Sequence, residues 1–145
     1  MTLKRSIQDL ANRSLRSGSF SLERGQRIKE VLLREKVPNE PGVYIIFNSS
    51  DLERPVYIGR AGTMNRNRSW KKQGISGRLN AVQKDQRRWS FFISEMEKRY
   101  QNGLTFFWFV THDRPTGVIP AFLEMKLLEA YFDEYEGLPE LNECV

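Results

Sequence analysis

Residues 41–59 read PGVYIIFNSSDLERPVYIG, and this stretch decides the fold. Val43–Phe47 and Val56–Ile58 are β-branched and aromatic, the composition that fits a pleated, half-buried surface. The intervening residues 48–54, NSSDLER, are rich in turn formers, so the two runs are predicted to form an antiparallel hairpin. With the turn centred on Ser50-Asp51, Tyr44 faces Tyr57 across the strands. Alternation then sends Val43, Ile45, Val56 and Ile58 to the other face. A pair of tyrosines on one face most often serves packing alone. Gly59 and Gly62, on either side of Arg60, would let a backbone or a phosphate come close.

Working outward toward the N-terminus, residues 3–16 and 21–36 are expected to be helices. Ile7, Leu10, Ala11 and Leu15 mark one apolar face, and Ile28, Val31 and Leu32 another. Ser17-Gly18-Ser19 separates them, Ser21 is a candidate N-cap, and Pro38 and Pro41 end the helical region. On the C-terminal side, residues 61–74 lack periodicity and form a loop. Ser76 is then expected to cap a short helix carrying Arg78, Leu79 and Val82. A longer helix presents Trp89, Phe92, Ile93, Met96 and Tyr100 and stops at Gly103. Residues 104–112, LTFFWFVTH, have the composition of a third, buried strand, followed by a loop. Pro120 opens the last helix, which runs to about Glu136. The expected order is α-α-β-β-α-α-β-α, an α+β fold with a small three-stranded antiparallel sheet flanked by helices.

At 145 residues the chain has the length of one domain, and 39% apolar with 12% aromatic residues is enough to build its core. No apolar run approaches the roughly 18 residues of a membrane span, and no apolar stretch follows the basic N-terminus. A cytoplasmic protein without a membrane partner is therefore expected. A single cysteine, Cys144, and a single histidine, His112, exclude an intrachain disulfide and the soft ligand set of zinc. Net charge is +5, unevenly spread. Residues 54–84 contain Arg54, Arg60, Arg66, Arg68, Lys71, Lys72, Arg78 and Lys84 with no acid, whereas residues 121–145 are acidic apart from Lys126. Within the basic block, Arg66, Arg68, Lys71 and Lys72 around Trp70 suit a segment that tracks phosphates and stacks a base.

The last helix breaks a rule. At 100° per residue from Leu123, Leu127, Tyr131, Tyr135 and Leu128 fall between about 40° and 140°, and Glu124, at about 100°, falls among them. Lys126, Glu129, Asp133 and Glu136 lie opposite, where charges belong. A carboxylate aimed at an apolar interior has to be paired, protonated or metal-bound. Arg78 falls in the first turn of its helix, where free N–H groups and the dipole favour an anion and a guanidinium could clamp a phosphate.

Taken in chain order, Gly42-Val43-Tyr44, Tyr57-Ile58-Gly59, Arg78 in GRLNAV, Glu124 in LEMKLLEAY and Asn142 in LPELN resemble the GIY-YIG nuclease superfamily. The resemblance runs from Pro41 to Asn142. It implies a helical extension over residues 1–38 and a catalytic domain over residues 39–145. It also implies a site of Tyr44, Tyr57, Arg78, Glu124, Arg60 and Asn142, with Glu124 holding one Mg²⁺ or Mn²⁺. Cleavage of nucleic acid, DNA above RNA, is the implied activity. The long gap between Gly59 and Arg78 looks like the restriction-endonuclease branch, where insertions reach the DNA. Val82 stands where the family commonly has His or Tyr.

On this pattern Glu124 would hold the ion, Arg78 with Arg60 would clamp the phosphate, and Tyr44 or Tyr57 would take the proton from the attacking water. His112 lies in the loop after the third strand. A PD-(D/E)xK nuclease is disfavoured, because Glu124-Met125-Lys126 is helical and sets its two charges about 160° apart. A catalytically idle nucleic-acid binding module and an acidic helix that docks a basic protein are the rivals from other classes.

Overall fold

The computed structural model describes residues 2–67, 69, 74–84, 94–96, 98–111 and 119–142. In chain order the elements are α1 (Leu3–Arg13), β1 (Arg16–Leu22), α2 (Ile28–Arg34), β2 (Gly42–Asn48), β3 (Tyr57–Ala61), α3 (Ile75–Lys84), β4 (Leu104–Val110) and α4 (Pro120–Tyr135). The fold is α+β, built on a four-stranded antiparallel sheet with strand order β1-β4-β2-β3. Phe-rich β4 pairs with a neighbour on both sides, as its nearly continuous apolar run requires.

The expected count of three strands is corrected to four. The extra strand, β1, takes up the end of the first expected helix, the Ser-Gly-Ser break and the start of the second. Ser17, Ser19 and Ser21 alternate with Gly18, Phe20 and Leu22, a period of two that a helix would scatter around its circumference. Phe20 and Leu22 are buried, and Phe20 stacks on Phe106 of β4 with ring centroids 4.7 Å apart. Gly18 makes room for Trp108, since a Cβ there would come within 2.5 Å of the indole. Helix α1 accordingly ends at Arg13, with Thr2 as its N-cap. Helix α2 shortens to residues 28–34.

The hairpin forms in a different register. Asn48 bridges Asp51 in a tight turn, and residues 52–55 then loop out before the Val56 N–H donates to the Ile46 carbonyl at 2.7 Å. Pro55 has no N–H to give the ladder, which favours this excursion. Ile46 therefore faces Tyr57, and Tyr44 faces Gly59. A shift of two residues preserves the face, so both tyrosines stay on one side of the sheet. Val56, expected opposite, joins the tyrosine side because it precedes the regular part of β3.

The sheet carries a core on each face. Tyr44, Ile46, Tyr57, Phe106 and Trp108 cluster with Ile28, Val31 and Leu32 of α2 and with Ile75 and Leu79 of α3. Val43, Ile45, Phe47, Ile58 and Phe109 cluster with Leu3 and Leu10 of α1 and with Leu127, Leu128 and Tyr131 of α4. Residues 94–96 and 98 are helical, and Met96 and Tyr100 are buried on the tyrosine side. Tyr100 donates to Glu140 at 2.7 Å, tying this stretch to the C-terminal segment, and burial raises its phenol pKa. Gly103 closes the stretch at φ +88°. Among the described residues no helix is long and apolar enough to cross a membrane.

Candidate functional site

Strand β3 organises the site, because its alternation splits Tyr57, Gly59 and Ala61 from Ile58 and Arg60. On the first face the Tyr44 and Tyr57 rings stack at 6.0 Å. Tyr44 reaches from β2 across Gly59, where a Cβ would meet its Cζ at 2.7 Å and its hydroxyl at 2.8 Å. The close approach that Gly59 allows is thus taken by two phenol rings, not by a phosphate. Both rings are buried, at 2% and 7% exposure. Gly62 turns the chain after β3 at φ +97°.

On the second face, helix α4 turns Leu127, Leu128 and Tyr131 into the core and leaves Lys126, Glu129, Asp133 and Glu136 exposed. Glu124 lies within the inward arc, with a side-chain exposure of 16%. Its Oε1 accepts from Arg60 Nη1 at 2.9 Å, and the Arg60 side chain is 44% exposed. The guanidinium answers the requirement that a half-buried carboxylate be paired. So Arg60 meets Glu124, and Tyr44 meets Tyr57, in two groups on opposite sides of β3.

Arg78 sits half-buried in the first turn of α3, but the anion site expected at that helix N-terminus is not there. The Ile75 and Ser76 N–H groups donate to the carbonyls of Glu40 and Pro38, and Gly77 N–H donates to Asn39 Oδ1 at 2.9 Å. Asn39 therefore does the capping assigned to Ser76. Gly74 permits it, since a Cβ there would meet the Asn39 and Glu40 backbone at 2.3 Å. No salt bridge reaches Arg78 among the described residues.

Asn142 is engaged with the backbone. Its Oδ1 accepts from Ile58 N–H at 3.0 Å and its Nδ2 donates to the Ile58 carbonyl at 2.9 Å, imitating one rung of a strand. Leu141 N–H donates to the Val56 carbonyl at 2.8 Å. The C-terminal segment thereby covers the outer edge of β3 and holds the middle of the Tyr57-Ile58-Gly59 motif. Replacing Asn142 by Asp turns the donor into a second acceptor facing the Ile58 carbonyl. Asn142→Asp should cost about 1–3 kcal/mol in urea unfolding. An unchanged midpoint would show that the clamp adds nothing.

Two partnerships escaped the sequence. Arg54, counted with the basic block, donates from Nε to the Tyr131 hydroxyl at 2.8 Å and lies 4.5 Å from the Tyr135 ring centroid. Arg66 is exposed. Arg68, Trp70, Lys71, Lys72 and His112, and the side chain of Val82, lie outside the described residues. A cavity of about 600 Å³ lies between α1 and the other flank of α4, lined by Asp9, Arg13, Thr111, Lys126, Glu129 and Asp133 among others. None of the six candidate catalytic residues borders it.

Among the described residues no three His, Cys, Asp or Glu side chains gather in a metal-holding group. A hard cation that keeps most of its waters, as Mg²⁺ and Mn²⁺ do, can be held through a single protein carboxylate. No family model, curated protein or solved structure matches the chain.

Proposed function

We propose that the chain is a metal-dependent endonuclease that hydrolyses phosphodiester bonds in nucleic acid, with DNA as its substrate. The observation that carries this function is the Glu124–Arg60 pair. It sets one carboxylate, inside an otherwise apolar arc of α4, against a cation of the basic segment next to the Tyr57-Ile58-Gly59 strand. Phosphodiester hydrolysis needs charge neutralisation at the phosphate, an activated water and a stabilised leaving oxygen. Arg60 and Arg78 are suited to the first task, because guanidinium binds phosphate in a fork. An arriving phosphate would compete with Glu124 for Arg60. When bound there, Mg²⁺ or Mn²⁺ supplies charge neutralisation and a more acidic water. Tyr44 or Tyr57 accepts the proton from the attacking water. Leu141 and Asn142 occupy the β3 edge at Val56 and Ile58. That leaves Arg60, beyond the covered part of the edge, as the first contact of an arriving phosphate.

A specific observation also supports a second function, a non-catalytic nucleic-acid binding module. Tyr44 and Tyr57 are packed into a core on the face away from Glu124. Incubation with plasmid, branched, single-stranded DNA and RNA substrates, in Mg²⁺ or Mn²⁺ and in EDTA, separates the two. Cuts that need the metal support the nuclease. Retarded but intact substrates under every metal condition favour the binding module.

A further inference from the structure

We propose that the outer edge of β1 is a self-association surface, on which a second copy of this chain pairs antiparallel along residues 16–22 with Ser19 at the twofold axis. The two edges of the sheet are treated differently. At β3, Leu141 and Asn142 cover the edge. At β1, the other end of the strand order, no backbone hydrogen bond arrives from the outer side among the described residues. Ser17, Ser19 and Ser21 are exposed. Edge strands are usually blunted by Pro, Lys, a bulge or a covering segment. Strand β1 has neither Pro nor Lys, and its register with β4 is unbroken over all seven residues. Its one charge, Arg16, is ion-paired with Glu40.

The strand is also complementary to itself. Centring on Ser19 is the sole register that pairs every residue of 16–22, and it sets Ser17 against Ser21 and Gly18 against Phe20. The serines then hydrogen-bond across the seam on one face. On the other face, Phe20 of the second copy comes beside Gly18, which the Trp108 indole of its own chain covers, so an aromatic pair spans the seam. Arg16 opposes Leu22, which keeps the two arginines at opposite ends. The product is one continuous eight-stranded sheet. A single strand edge is smaller than the roughly 1,200 Å² of a stable interface, so the dimer is weak and grows with concentration. This surface is independent of the nuclease function proposed above.

Disulfide trapping reads the register. In a Cys144→Ser background, Ser17→Cys, Ser19→Cys and Ser21→Cys are oxidised separately at about 100 µM protein with oxidised glutathione. These small, exposed positions tolerate the change, and circular dichroism checks the fold. Ser19→Cys should yield a disulfide-linked dimer, because directly opposed Cβ atoms lie about 4.5–5.5 Å apart. Ser17→Cys and Ser21→Cys alone should link at least tenfold less, since each is about 13 Å from its own copy. Mixing those two variants should restore the dimer. Equal cross-linking at all three positions, or none at Ser19→Cys, would overturn the proposal.

Discussion

Glu124→Gln should abolish metal-dependent cleavage while leaving folding and nucleic-acid binding close to wild type. Glutamine keeps the shape, and its carbonyl can still accept the hydrogen bond from Arg60 that the carboxylate accepts at 2.9 Å. What disappears is the negative charge. Because Arg60 is partly exposed, the ionic part of the pair contributes about 1 kcal/mol or less to stability. A metal ion in phosphodiester hydrolysis stabilises the transition state by several kcal/mol, so losing its ligand should lower the rate about a thousandfold or more. Glu129→Gln, on the exposed face of the same helix, should cut at the wild-type rate. Wild-type cleavage by Glu124→Gln would rule out the assignment.

Tyr44 and Tyr57 allow packing and chemistry to be separated, because Phe keeps the stacked ring and removes only the hydroxyl. If both serve packing alone, Tyr44→Phe and Tyr57→Phe should cleave normally and change stability by about 1 kcal/mol, the worth of one hydrogen bond. If one is the general base, its Phe variant should lose on the order of 10²-fold to 10⁴-fold in rate at saturating metal and substrate. The position of the Tyr44 hydroxyl over Gly59, on the edge strand, makes Tyr44→Phe the variant expected to lose more. Full activity of both variants would remove the tyrosines from the chemistry.

The hairpin and the last helix were legible because each is governed by one strong pattern. β-branched and aromatic runs on either side of the turn-rich residues 48–54 wrote β2 and β3. The 3.6-residue period wrote α4 and turned Glu124 inward, where the structure places it at 16% exposure. Strand β1 was hidden because Ser-Gly-Ser has turn chemistry, and only its pairing with β4 and the indole above Gly18 make a strand of it. Its alternation of serine with Phe20 and Leu22 was nevertheless present in the sequence. The hairpin register depended on where residues 52–55 looped out, which is settled by long-range pairing of Val56 with Ile46 and Leu141. The sequence implies free N–H groups at the start of α3, yet Pro38, Asn39 and Glu40, some 35 residues earlier in the chain, fill them. The engagement of Asn142 with Ile58 spans 84 residues and had no local signal.

The measurement closest to the central claim is Mn²⁺ binding, followed by electron paramagnetic resonance of the free ion, to wild type and Glu124→Gln in the presence of a cleavage-resistant phosphorothioate duplex. The wild-type complex should take up one Mn²⁺ per chain beyond the duplex alone, and Glu124→Gln should take up none while still binding the duplex. Equal Mn²⁺ uptake by the two proteins would contradict the placement of the metal at Glu124, and with it the proposed site.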